Sequence, residues 1–111
     1  MITRTLEDLA NEVHRTAVKK GFWPNDVDDI FVTKQLMMIV SEAVEVMEAI
    51  RKDKGNQEVA EEMADIVIRT LDLWAGLKET GFVEPDADLQ AVFNNKTSIN
   101  ETRPERHGVR F

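Results

Sequence analysis

The chain has no cysteine, only 3 prolines and 5 glycines, and no apolar run longer than Leu36 to Val40. Without cysteine there is no disulfide framework, no thiolate metal site and no cysteine nucleophile. The longest apolar run falls far short of the ~20 residues that span a bilayer, so no membrane partner is expected. No apolar segment of the signal-peptide kind follows Met1-Ile2-Thr3-Arg4, and the expected compartment is the cytoplasm. Positive charge is also short: the net charge of −7 argues against stable nucleic-acid binding, which calls for a basic face. What remains is 111 residues, 42% hydrophobic and 32% charged, the balance of one globular domain spanning 1–111.

Charge is distributed unevenly. Between Glu42 and Asp65 stand eight acids (Glu42, Glu45, Glu48, Asp53, Glu58, Glu61, Glu62 and Asp65) against Arg51, Lys52 and Lys54. From Lys96 onward the balance reverses, with Lys96, Arg103, Arg106 and Arg110 against Glu101 and Glu105. An acidic middle does not exclude an anionic ligand, because a bound divalent cation inverts the local field.

The hydrophobic pattern has helical spacing throughout and no strand-like alternation of any length. Thr5 and Asp8 form a capping-box pair ahead of Leu6, Leu9, Ala10, Val13 and Ala17, and Gly21 supplies the stop. A second helix is expected from about Asp29 to about Lys52. It is apolar on most of its circumference, which calls for burial on more than one side and hence a homodimer or homotetramer. Asp53-Lys54-Gly55-Asn56 is the turn into a third helix, expected from Gln57 to Lys78. A short fourth helix opens after Pro85 and runs through Leu89, Val92 and Phe93. The expected fold is all-α, an antiparallel bundle of four main helices over about 5–95, with an irregular basic tail over 96–111.

Two pairs of acids carry the chemistry, Glu42 with Glu45 and Glu62 with Asp65. Residues three apart lie about 60° apart around a helix, so each pair sits on one face. The first pair interrupts an apolar stretch, and an unpaired carboxylate there must be either exposed or bound to a cation. Four carboxylates on facing helices suit a hard, oxygen-seeking ion such as Mg2+. Helical arithmetic puts Lys34, Gln35 and Met38 on the arc of Glu42, and Arg69 between Glu62 and Asp65, with Asp72 close by. Spacing alone leaves a second reading open, a solvated acidic face with Asp65–Arg69 as an ordinary i,i+4 pair. Other metal schemes lack their residues: neither His14 nor His107 has a glutamate three positions before it, and no EF-hand loop, Walker loop or nucleophile elbow is present.

Ser41-Glu42-Ala43-Val44-Glu45, followed downstream by Glu62-Met63-Ala64-Asp65, resembles the Glu-x-x-Glu…Glu-x-x-Asp signature of the MazG-like all-α nucleoside triphosphate pyrophosphohydrolases. Lys96, Asn100, Arg103-Pro104 and His107-Gly108 resemble the ending of short members of that family. The resemblance runs from about His14 to the last residue. It implies Mg2+-dependent (or Mn2+-dependent) hydrolysis of a (d)NTP between its α and β phosphates, with Glu42, Glu45, Glu62 and Asp65 as metal ligands. It further implies phosphate contacts from Lys96 and Arg103 and a nucleotide contact from Asn100. Where some members carry an additional glutamate, this chain has Ser41, which leaves Glu45 as the candidate general base. His14 and Trp23 resemble base-pocket residues of one branch, and Lys34 and Gln35 are further pocket candidates. Two alternatives share the fold: a non-catalytic helical oligomerisation or regulatory module, and a phosphoribosyl-ATP pyrophosphohydrolase-like enzyme.

Overall fold

The computed structural model describes residues 3–105, and these form four α-helices and no strand. Helix α1 spans Leu6–Lys19. Its start is fixed by the expected capping box: the Asp8 N–H donates to Thr5 Oγ1 at 3.1 Å and the Thr5 N–H to Asp8 Oδ2 at 2.9 Å. Gly21, at φ +83°, takes the left-handed conformation that ends it. Helix α2 covers Asp29–Arg51, capped by Asp28, whose side chain accepts from the Phe31 N–H at 2.8 Å. A tight turn through Asp53 (φ 52°) and Gly55 (φ 102°) leads into α3, Asn56–Thr80.

Helix α4 runs over Leu89–Thr102, and so corrects the expected end of the helical part at about residue 95. Asn94 and Asn95 are weak helix formers, but no glycine or proline follows before Pro104. The Asn94 side chain and those of its neighbours bond along the helix instead of away from it. Gln90 donates to Asn94 Oδ1 at 3.0 Å, and the Thr97 and Thr102 hydroxyls donate to the carbonyls of Asn94 and Ile99. The part of the expected tail within 96–102 is therefore helical.

Helix α3 is central, packing on α1 and antiparallel to α2, while α4 touches α1 only lightly. The core lies between α1 and the C-terminal half of α3, where Ala10, Leu71 and Ala75 are buried with Leu9, Val13, Trp74 and Leu89 against them. Glu7 ties the same end together. Its carboxylate accepts from Trp74 Nε1 at 2.9 Å, Lys78 Nζ at 2.7 Å and the Leu89 backbone N–H at 2.8 Å. Burial pushes the Glu7 carboxyl up, but these donors outweigh it and hold its pKa below the ordinary value.

Helix α2 has two distinct faces. Phe31, Met38, Glu42 and Ala49 look toward the rest of the chain. About half a turn away, at ~100° per residue, Leu36, Val40, Val44 and Met47 form an exposed apolar stripe. Met63 and Val67 on α3 are exposed as well. The Cα radius of gyration is 16.3 Å, against ~13 Å for a compact domain of this length. No helix among the described residues is long and apolar enough to cross a membrane.

Candidate functional site

The two acidic pairs meet across the α2–α3 interface. One carboxylate oxygen from each of Glu42, Glu62 and Asp65 lies within 4.8 Å of the other two. Glu45, one turn on from Glu42, stands within hydrogen-bond reach of Glu62. The short turn at 52–55 makes this possible by folding α3 back along α2, so that each i,i+3 pair faces the other. The pKa of Glu62 is raised. The hydrogen bond with Glu45 is the main cause, followed by desolvation and the negative charges of Glu45, Asp65 and Glu42.

Glu42 is buried, with 7% of its surface exposed, and its Oε1 accepts from Arg69 Nε at 2.6 Å. Arg69 thus forgoes the i,i+4 partner expected for it, Asp65, and crosses to the neighbouring helix. The remaining oxygen of Glu42 and one of Glu62 are buried without a hydrogen-bond partner among the described residues. Buried carboxylate oxygens of this kind are costly unless a cation or donor meets them. With an all-oxygen donor set from three or four carboxylates, they fit a hard divalent ion such as Mg2+ or Mn2+. The innermost member is buried and its neighbour half-buried, while Glu45 and Asp65 are exposed.

A cavity of about 540 Å3 opens beside the cluster, within the range of ligand sites, about 300–1,000 Å3. Glu42, Asp65 and Arg69 lie at one end, and Phe22, Phe31 and Asp72 line it further along. Lys34 and Gln35 line it too, as do Lys20 and Met38. His14 and Trp23 do not; they stand behind the wall and grip Asp72. His14 Nδ1 lies 2.8 Å from Asp72 Oδ1, and the Trp23 indole N–H donates to Asp72 Oδ1 at 2.9 Å and to Oδ2 at 3.2 Å. The other ring nitrogen of His14 lies 3.1 Å from Glu79 Oε2, so this histidine, 4% exposed, is fully engaged. Trp23 meets His14 edge-on, with ring centroids 4.9 Å apart, and Phe31 at 5.1 Å.

Lys96 and Asn100 are exposed on α4, and Arg103 caps its end; none of the three lines the cavity. They share an arc of α4 with the exposed Val92 and Ile99. His107 and Gly108 lie outside the described residues. Two contributors carried little signal in the sequence. Asp72 is spaced two turns after Asp65, so its face was legible, but its partners lie far away in the chain. Gly76 is buried under Trp23, where a Cβ would overlap the indole ring. Compared with models of protein families, with curated proteins and with solved structures, the chain matches none.

Proposed function

We propose that this chain is a metal-dependent nucleoside triphosphate pyrophosphohydrolase of the MazG-like kind, hydrolysing a (d)NTP to (d)NMP and pyrophosphate. The observation that carries the reading is the convergence of Glu42, Glu62 and Asp65, two of them with buried unpartnered oxygens, at the end of a nucleotide-sized cavity. Glu42, Glu45, Glu62 and Asp65 are the residues to hold Mg2+ or Mn2+. Such an ion offsets triphosphate charge and lowers the pKa of a bound water.

The chain's own groups have separable parts in this reaction. A water oxygen bonds to the α-phosphorus, the bridging bond to the β-phosphate breaks, and pyrophosphate carries away the electron pair. Glu45 is the candidate acceptor of the water proton, being exposed and within reach of Glu62. Arg69 fixes the Glu42 carboxylate, while Lys34 and Gln35 face the ligand from α2.

Self-association belongs to the same proposal. The chain exposes 8521 Å2, against ~6,200 Å2 for a compact monomer of this mass. The difference is of the order that one partner contributes to an obligate interface. The apolar stripe of α2 is the surface for a second copy, giving a homodimer or a homotetramer built from dimers in the cytoplasm. Lys96, Asn100 and Arg103, which stand apart from the cavity of their own chain, then serve as phosphate and nucleotide contacts to a neighbouring copy. The test is a panel of canonical (d)NTPs with Mg2+, monitored for pyrophosphate release. Release that stops on chelation is the expected result, and a panel with no pyrophosphate release overturns the assignment.

A further inference from the structure

Arg69 meets Glu42 through half of the contact it could make. A guanidinium and a carboxylate pair most fully as a fork, through two parallel N–H···O bonds. Here a single bond joins them, from Arg69 Nε to Glu42 Oε1 at 2.6 Å. Glu42 Oε2 stays buried without a hydrogen-bond partner among the described residues. The Glu42 side chain is only 10% exposed, so water is a poor substitute for a partner at that oxygen. The two oxygens of one carboxylate are thus set apart: Oε1 faces a fixed positive charge and Oε2 faces none.

This asymmetry limits how Glu42 can hold a cation beside Glu62 and Asp65, whose oxygens come within 4.8 Å of its own. A carboxylate ligates through one oxygen or through both. Ligation through both would place the cation on Oε1 as well, against the Arg69 guanidinium, and like charges at that spacing repel. Glu42 is therefore left with Oε2 alone. One-oxygen ligation does not suit all hard cations equally. Mg2+ is small, is satisfied by six single oxygens and keeps several waters among them. Ca2+ is larger, takes about six to eight oxygens and draws on carboxylates that give two each.

We propose that Arg69 is the specificity-determining residue for the ion: by occupying Oε1 it holds Glu42 to one oxygen and favours Mg2+ or Mn2+ over Ca2+. The inference rests on the cation reading of Glu42, Glu62 and Asp65. Its charge and its position have separable effects. A nearby positive charge weakens Mg2+ and Ca2+ alike, because the two ions carry the same charge. Freeing Oε1 helps the ion that can use a second oxygen. The ratio of the two affinities therefore reports the position of Arg69, and their common change reports its charge.

Mn2+ binding to the full chain, followed by electron paramagnetic resonance with Mg2+ and Ca2+ as competitors, tests this without requiring turnover. In the unsubstituted protein Mg2+ is expected to displace Mn2+ at a lower concentration than Ca2+ does. In Arg69→Met both competitors are expected to bind more tightly, with the ratio moved at least about fivefold toward Ca2+. Ca2+ that displaces Mn2+ from the unsubstituted protein as readily as Mg2+ does, or better, overturns the proposal. That measurement needs no variant, so it decides even if Arg69→Met does not fold. The same titrations separate the layers of argument. A parent that binds no Mn2+ removes the cation site and the role of Arg69 with it. A ratio unchanged in Arg69→Met removes Arg69 and keeps the cation site. The expected shift in a protein that releases no pyrophosphate from any (d)NTP removes the hydrolase and keeps Arg69.

Discussion

The two halves of α3 are built to different ends. The C-terminal half buries Leu71, Leu73, Ala75 and Gly76, and its polar groups are paired, as in the Glu7–Trp74–Lys78 set and the His14–Asp72–Trp23 set. The N-terminal half faces α2 with Glu62 and Asp65, leaves buried oxygens without partners, and exposes Met63 and Val67 on another side. One half is closed by its own chain. The other has buried carboxylate oxygens without a partner among the described residues and an uncovered apolar surface. The difference places stability at one end of the helix and proposed function at the other, consistent with functional sites violating the rules that the rest of a fold obeys.

The comparison breaks most visibly at the acidic end. Glu42→Gln or Asp65→Asn is expected to reduce Mg2+-dependent pyrophosphate release to background while the helical circular dichroism spectrum is unchanged. Asp65→Asn removes one negative charge from a self-repelling cluster, so its melting temperature without metal is expected to hold or rise. Glu42→Gln also gives up the charge facing Arg69, and its melting temperature is expected to hold or fall. Full activity in either variant overturns the metal assignment.

Next comes a matched pair on the same helix, Val67 and Leu71, one turn apart. Leu71→Ala empties a buried site and is expected to cost about 2–5 kcal/mol in denaturant unfolding, at any protein concentration. Val67, 52% exposed in the single chain, should matter little to a monomer. If the exposed faces of α2 and α3 meet a second copy, Val67→Ala loses stability in a concentration-dependent way, and sedimentation shows more 12.7 kDa species than in the parent. A Val67→Ala variant that matches the parent at every concentration leaves Val67 outside any interface.

These contrasts also explain which features could be read from the sequence. Thr5 with Asp8 and Gly21 after α1 are local signals, and the helix ends they mark agree with the structure to within a residue or two. The i,i+3 acids were legible for the same reason: periodicity places them on one face before any tertiary contact is known. Arg69 was not. Its local partner Asp65 was the obvious reading, and only the α2–α3 packing reveals Glu42 as the one it takes. His14, Trp23 and Asp72 were visible as separate residues, but their union crosses 49–58 positions of chain. The end of α4 was misplaced because Asn94-Asn95 resembles a stop, whereas side-chain bonds within the helix carry it on to Thr102.

Gly76→Ala probes the packing inside the C-terminal half. The new Cβ overlaps the Trp23 ring, so the indole must leave Asp72 or α1 must shift. Overpacking of this kind costs about 1–3 kcal/mol. The expected signature is a red-shifted tryptophan emission with the α-helical content intact. An unshifted spectrum and unchanged melting temperature would show that the contact is easily relieved.

The smallest expected effect lies at the closed end and depends on pH. Glu7 has its folded-state pKa held below the ordinary 4.5 by donors from Lys78, Leu89 and Trp74, which together outweigh the opposing effect of burial. A carboxylate with a depressed pKa binds its proton more weakly in the folded protein than in the unfolded chain. Its contribution is therefore complete at pH values above the unfolded pKa and is lost as the pH falls through the folded one. In Glu7→Gln the amide oxygen still accepts one bond, but the charge facing Lys78 is gone. A deficit on the order of 1 kcal/mol is expected at neutral pH, the scale of one net hydrogen bond. The gap between parent and variant melting temperatures, followed from pH 7 downward, should begin to narrow near pH 4.5, the ordinary carboxyl value, and close once the pH passes below the lower folded-state pKa. A gap that stays constant across that range would mean that Glu7 acts through packing or its neutral hydrogen bonds. The closed end of α3 would then owe its stability to apolar burial around Ala10, Leu71 and Ala75 alone.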